Sequence, residues 1–106
     1  MLSQKKKKLV AKDFPLKTTF SNLSKIILSS RYPTAGYALN TKVEMTVFIL
    51  SGKVSLTVQN KKKILIKNSA VLIKSNQKYF WQPQKKVTLL IFSTPPWTPK
   101  QQKVLK

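Results

Sequence analysis

Few residues in this chain are equipped for chemistry. Tyr79, Phe80 and Trp81 follow one another shortly after the apolar run Ala70–Ile73. In an extended chain, Tyr79 and Trp81 share one face and Phe80 takes the other. A phenol and an indole each offer an apolar body with one hydrogen-bonding tip, which suits a pocket for a small polar molecule. Glu44 is the only carboxylate within the apolar part of the chain, and Asp13 is the only other acid. A lone glutamate works as a general base only when burial and a neighbouring cation tune it. The simpler reading of Glu44 is a surface carboxylate beside Lys42 or another lysine. Two-carboxylate acid/base chemistry needs a second acid close by, and none is close in sequence.

Histidine and cysteine are both absent. That removes histidine-activated serine, cysteine nucleophiles and disulfides. It also removes the usual ligands of first-row metals, and Asp13 and Glu44 alone cannot complete a coordination shell. The expectation is therefore no metal and no cofactor. With only Gly36 and Gly52 present there is no glycine-rich phosphate loop. A lysine of lowered pKa can form a Schiff base, but nothing marks one of the lysines for that role.

Charge is the most unusual property. Lys and Arg number 21 against 2 acids, a net charge of +19. Small soluble domains usually carry a net charge of about 2 to 8 in magnitude. So large an excess repels itself unless a polyanion or salt screens it. Lysines cluster at Lys5, Lys6, Lys7 and Lys8, at Lys61, Lys62 and Lys63, and at Lys85 and Lys86, with Lys100, Lys103 and Lys106 near the end. Such groups meet phosphate as point charges and read little sequence. No nucleic-acid-binding signature is present, and aromatics are not interleaved with the clusters as in a stacking platform.

The elements that must position these residues are strands. At 106 residues with 42% hydrophobic content, the chain is one core-forming domain. "EMTVFILSG" is a nearly continuous apolar run, the pattern of a strand buried on both faces. "KVSLTVQN" alternates, with Val54, Leu56 and Val58 on one side. Asn60-Lys61 reads as a tight turn into "KKILIKN". Val87, Leu89 and Ile91 share a face of a later strand. Turn signals recur about every 8 to 12 residues without a helical period, which points to an all-β sandwich or barrel. Residues 1–17 read as a basic N-terminal arm, 18–96 as the barrel and 97–106 as a Pro-rich C-terminal tail in which Trp97 packs as an apolar plug. No run approaches 18 apolar residues, so no membrane span is expected. No secretory signal is evident, and a cytoplasmic or organellar location is the expectation.

The order and spacing from Gly36 to Trp97 resemble the cupin family. That family's second motif runs glycine, five residues, proline, one residue, glycine, two residues, histidine. Asn68, Lys74, Asn76 and Tyr79 occupy those places at the same spacing. The first motif ends in glutamate, six residues and glycine; Met45 and Gly52 stand there, with the two preceding histidines falling at Leu39 and Thr41 or at Ala38 and Asn40. "STPPWTP" is similar to the ends of many small single-domain cupins. The resemblance covers about 60 of the 106 residues and rests on spacing, since the signature residues themselves differ. It implies a double-stranded β-helix, or jelly-roll barrel, commonly a homodimer, with every metal ligand replaced. It also implies that Tyr79, Trp81, Met45 and Tyr37 face a pocket inside the barrel, against the alternative that they simply fill it, as small barrels usually do.

Two functional expectations follow. One is a non-enzymatic, metal-free basic protein held on a polyanion, RNA within a larger ribonucleoprotein assembly, by phosphate contacts. The other is a metal-independent cupin that binds or isomerises a small polar metabolite such as a sugar.

Overall fold

The computed structural model describes residues 9–13 and 21–106. Ten strands form two five-stranded antiparallel sheets packed face to face. In chain order they are β1 (Leu9–Asp13), β2 (Asn22–Leu28), β3 (Tyr37–Asn40), β4 (Glu44–Ser51), β5 (Lys53–Val58), β6 (Lys61–Ile66), β7 (Ala70–Ile73), β8 (Tyr79–Pro83), β9 (Val87–Thr94) and β10 (Gln102–Leu105). Sheet 1 has the order β1-β2-β9-β4-β7 and sheet 2 the order β10-β3-β8-β5-β6. Non-sequential neighbours in both sheets make this a jelly roll.

Alternation builds the core, because successive side chains on a strand point to opposite faces. Val54 and Leu56 of β5, Val87 and Leu89 of β9, and Met45, Val47 and Ile49 of β4 are buried between the sheets. β4 differs from the two-sided burial that its sequence suggests. Its burial alternates, and Glu44 and Thr46 are exposed while Phe48 and Leu50 are half-buried.

The turns carry the special backbone. Gln59 and Asn60, not Asn60 and Lys61, are the β5–β6 hairpin turn, with φ of 50° and 68°. Two consecutive positive φ values match the twist of the flanking strands. Asn68 and Asn76, which stand at the two glycine places of the cupin motif, have φ of 72° and 64°. Asparagine is among the few residues that enter the left-handed region at modest cost, so the backbone shape survives the loss of both glycines. Gly52 keeps its glycine for a second reason. At φ 90°, a Cβ there would sit 2.6 Å from the Lys86 carbonyl oxygen.

Both chain ends depart from the arm and tail that the sequence suggests. Within 1–17, residues Leu9–Asp13 form β1 and pair with β2, from Leu9 opposite Leu28 to Asp13 opposite Ser24. Lys5 to Lys8 lie outside the described residues. Within 97–106, a 3-10 turn at Pro99–Gln101 leads into β10, which pairs with β3. No helix among the described residues is long and apolar enough to cross a membrane.

Candidate functional site

Between the sheets lies a cavity of about 290 Å³. Ile26, Leu28, Leu89 and Ile91 form its apolar floor, and Met45, Tyr79 and Trp81 are on its wall. Tyr79 and Trp81 are each 3% exposed, so their side chains belong to the barrel interior. The barrel is not filled solid. Ala11 and Trp97 also line the space and are exposed, so the cavity opens to solvent between β1 and the segment leading to β10.

Tyr37 does not belong to this wall. It has the opposite parity to the buried Ala38 and stands on the outer face of sheet 2, its ring 5.6 Å from that of Phe80 in an edge-on contact. Phe80 in turn lies 4.0 Å below the Arg31 guanidinium. Arg31 donates to the carbonyls of Pro33 at 2.6 Å and Gly36 at 2.9 Å. The outward member of the aromatic triplet thus anchors the only arginine, which ties down the loop after Tyr32. Tyr32 itself is bridged to the adjacent ring-bearing strand: its N–H donates to Trp81 O at 3.0 Å and Trp81 N–H returns to Tyr32 O at 2.8 Å. The result is a second tyrosine on the cavity wall.

The polar end of the cavity is built from amides and hydroxyls. Gln102 Nε2 donates to the Tyr32 hydroxyl at 2.8 Å. Asn40 Oδ1 accepts from Trp97 Nε1 at 3.2 Å and from Gln101 Nε2 at 2.8 Å. Gln101 Oε1 accepts from the backbone N–H of Lys42 and of Val43, each at 3.2 Å. Asn22 Oδ1 accepts from the Trp97 N–H at 3.0 Å. Asn40 Nδ2 is buried and closes no hydrogen bond of standard geometry, although the Asn40 and Gln102 side chains both act on the Tyr79 phenol. Burial pushes the Tyr79 phenol up from its ordinary pKa, and the nearby Tyr32 adds to this; Asn40 and Gln102 pull it back in part. At neutral pH Tyr79 is a hydrogen-bond donor, not a base. No lysine, arginine or glutamate side chain is among the described residues lining the cavity.

Sequence patterning marks Trp97 only as an apolar plug, whereas its ring lines the cavity and its Nε1 donates to Asn40; Gln101, Gln102, Asn22 and Tyr32 carry no such mark. The doubled amide Gln101-Gln102 in an otherwise lysine- and proline-rich segment was the available signal, since an amide both donates and accepts.

The cupin metal positions can now be located. Of the two alternatives for the first pair, Ala38 and Asn40 are the buried one. With Met45 and Tyr79 they offer a methyl group, an amide, a thioether and a protonated phenol. That set does not fit a first-row divalent cation. Among the described residues no three of His, Cys, Asp or Glu come together. Glu44 is exposed and points away from the cavity.

The lysine clusters are dispersed. Lys61, Lys62 and Lys63 are exposed on β6, an edge strand of sheet 2, just after the hairpin turn. Lys85 and Lys86 are exposed between β8 and β9, against Gly52, at the other end of β5. Lys53 and Lys62 border a shallow depression of about 180 Å³ with Ser55, Gln82 and Gln84.

No family model matches the chain, and no curated protein matches it. Solved structures do. Streptomyces PAC13 in a variant form with uridine, whose wild type is described as a unique nucleoside dehydratase, superposes with a TM-score of 0.81 at 6% identity, over 93% of this chain and 79% of that one. KdgF from a Halomonas species gives 0.74 at 8% identity, over 88% and 83%. The cupin domain of Schizosaccharomyces pombe Cnp3 gives 0.72 at 14% identity, over 84% and 66%. The chain has the cupin fold.

Proposed function

We propose that this cupin-fold chain binds a small, uncharged, hydrogen-bonding molecule in its barrel without a metal. The observation that carries the proposal is the cavity itself: apolar on its floor, with Tyr32, Tyr79, Asn22 and Gln102 in its lining and the Gln102 amide bonded to the Tyr32 hydroxyl. Its volume of about 290 Å³ lies near the lower end of the range of about 300–1,000 Å³ for ligand pockets. The ligand is therefore small. It is neutral because a charged group entering this wall loses water and meets no opposite charge. Sugars and nucleosides are molecules of this class, and uridine, present with PAC13, is a reasonable first probe. Tyr79, held protonated, supplies a donor. With no imidazole or carboxylate among the described wall residues, the site supports binding better than proton abstraction. Calorimetry against a panel of neutral sugars and nucleosides tests the proposal. Saturable one-to-one binding of at least one of them supports it. A crystal structure with the barrel packed solid and no heat from any compound overturns it.

A second reading, association with a polyanion such as RNA, is favoured by the +19 charge and by Lys53 and Lys62 flanking a depression with three hydrogen-bonding side chains. It uses the outer face of sheet 2, not the cavity, so the two readings are compatible. Its contacts are to phosphate, through mobile point charges.

A further inference from the structure

The sequence keeps its aromatics apart from its lysine runs, but the fold brings the two together on the outer face of sheet 2. Two registered rows run across that face. Tyr37, Phe80, Thr57 and Lys62 make one, and Gln82, Ser55 and Ile64 make the next. Lys53 lies one outward step further along β5, opposite Ile66. At the aromatic end, the Arg31 guanidinium sits 4.0 Å from the Phe80 ring centre and Lys78 Nζ 5.2 Å from that of Tyr37. Arg31 donates to the carbonyls of Pro33 and Gly36, so its position is fixed in advance. Both rings and Arg31 are half-buried, and Lys53 and Lys62 are exposed. The chain's two acids, Asp13 and Glu44, belong to β1 and β4 of sheet 1. Sheet 2 thus carries rings, hydrogen-bonding side chains and cations, and both acids lie elsewhere.

We propose that this face is a docking surface for single-stranded RNA. The proposal rests on the polyanion reading above and deepens it by naming the partner. Phosphates meet Lys53, Lys62 and Lys78 as point charges. Bases stack on Tyr37 and on the Arg31–Phe80 pair, since unpaired bases pack on aromatic rings and on guanidinium planes. Tyr37 to Lys62 is three strand spacings, about 14 Å at about 4.8 Å each. A four-stranded sheet with aromatics on its open face stacks about two or three bases. A duplex keeps its bases stacked inside and can use only the charges. Ser55, Thr57 and Gln82, between the rings and the lysines, both donate and accept. They suit a ribose 2′-hydroxyl, which favours RNA over DNA.

Fluorescence anisotropy of the full chain tests it, with a short labelled RNA strand, its duplex, and the DNA strand of the same sequence, each at several salt concentrations. The RNA strand should bind more tightly than the duplex or the DNA strand, a comparison that needs no variant. Tyr37→Ala, with circular dichroism to confirm folding, should weaken binding of the RNA strand about fivefold or more, as expected for one lost base stack. Its salt slope should stay as in wild type, because no phosphate contact is lost. Tyr37→Phe keeps the ring and should bind as wild type. Lys12→Gln with Lys25→Gln, on sheet 1, should leave the preference for the single strand intact. Equal affinity for strand and duplex, or a folded Tyr37→Ala that binds as wild type, overturns this proposal while the polyanion reading stands. Tighter binding of the DNA strand overturns the choice of RNA. No binding to any of the three overturns both.

Discussion

Gln102 donates from Nε2 to the hydroxyl of Tyr32 at 2.8 Å, joining positions 70 residues apart. This bond closes the polar end of the cavity by linking β10 to the loop that Arg31 holds. Replacing Gln102 with leucine removes the donor while keeping the bulk. A typical net hydrogen bond is worth about 1 kcal/mol, so the variant should fold, lose about that much stability in urea denaturation, and bind a neutral ligand more weakly. Unchanged ligand affinity would show that the polar end is not used.

Gln101 is the more structural of the two amides. It is 6% exposed, and its side chain accepts from two backbone N–H groups and donates to Asn40. Gln101→Ala leaves those partners buried and unpaired, at about 1–3 kcal/mol for each unsatisfied group. The expected loss is about 2–4 kcal/mol in denaturant midpoint analysis. A loss below about 0.5 kcal/mol would mean that water satisfies the turn in its place.

Tyr79 sets a pH dependence whose sign follows from its raised pKa. The unfolded phenol ionises near 10 and the folded one at higher pH, so the unfolded state binds fewer protons in that window. Stability is therefore fully present below about pH 10 and falls as pH rises above it. Tyr79→Phe should flatten that part of the stability curve relative to wild type. Parallel curves for the two proteins would show that Tyr79 is not buried as described.

Polyanion association, if it occurs through phosphate contacts, falls steeply with salt. Each phosphate neutralised contributes about −0.7 to the log–log slope for a single strand. Lys53→Gln with Lys62→Gln should make the slope shallower by one to two contacts and affect all RNA sequences alike. Binding to RNA that is flat in salt removes this reading altogether.

Much of the scaffold was legible before any coordinates. Val54 and Leu56 alternate cleanly, and Gly52 with Asn68 and Asn76 keeps the spacing of the family's turns even though two glycines have changed. Met45 and Tyr79 could be placed on the inner face from their positions in the cupin motif spacing, and Trp81 from sharing the parity of Tyr79. Tyr37 could not, because the loop before it fixes its parity and that loop is held by Arg31 and Phe80, a contact no periodicity announces. β1 was hidden because Leu9 and Ala11 alternate for too few residues beside a lysine run. β10 was hidden because a strand of four residues, one of them a lysine, gains its identity from pairing with β3 and not from its own pattern. Those two segments form the mouth and polar end of the cavity, so the site was legible only in its floor and aromatic wall.

The chain has two tryptophans, and both Trp81 and Trp97 line the cavity. Intrinsic fluorescence therefore reports occupation of the barrel, through the buried Trp81 and through Trp97 at the mouth. Titrating with a neutral nucleoside or sugar, and in parallel with its phosphorylated form, measures the central claim directly. The account predicts a saturable change in tryptophan emission for at least one neutral compound and none for its phosphorylated form. Saturation by the phosphorylated form, with no response to any neutral one, would contradict it.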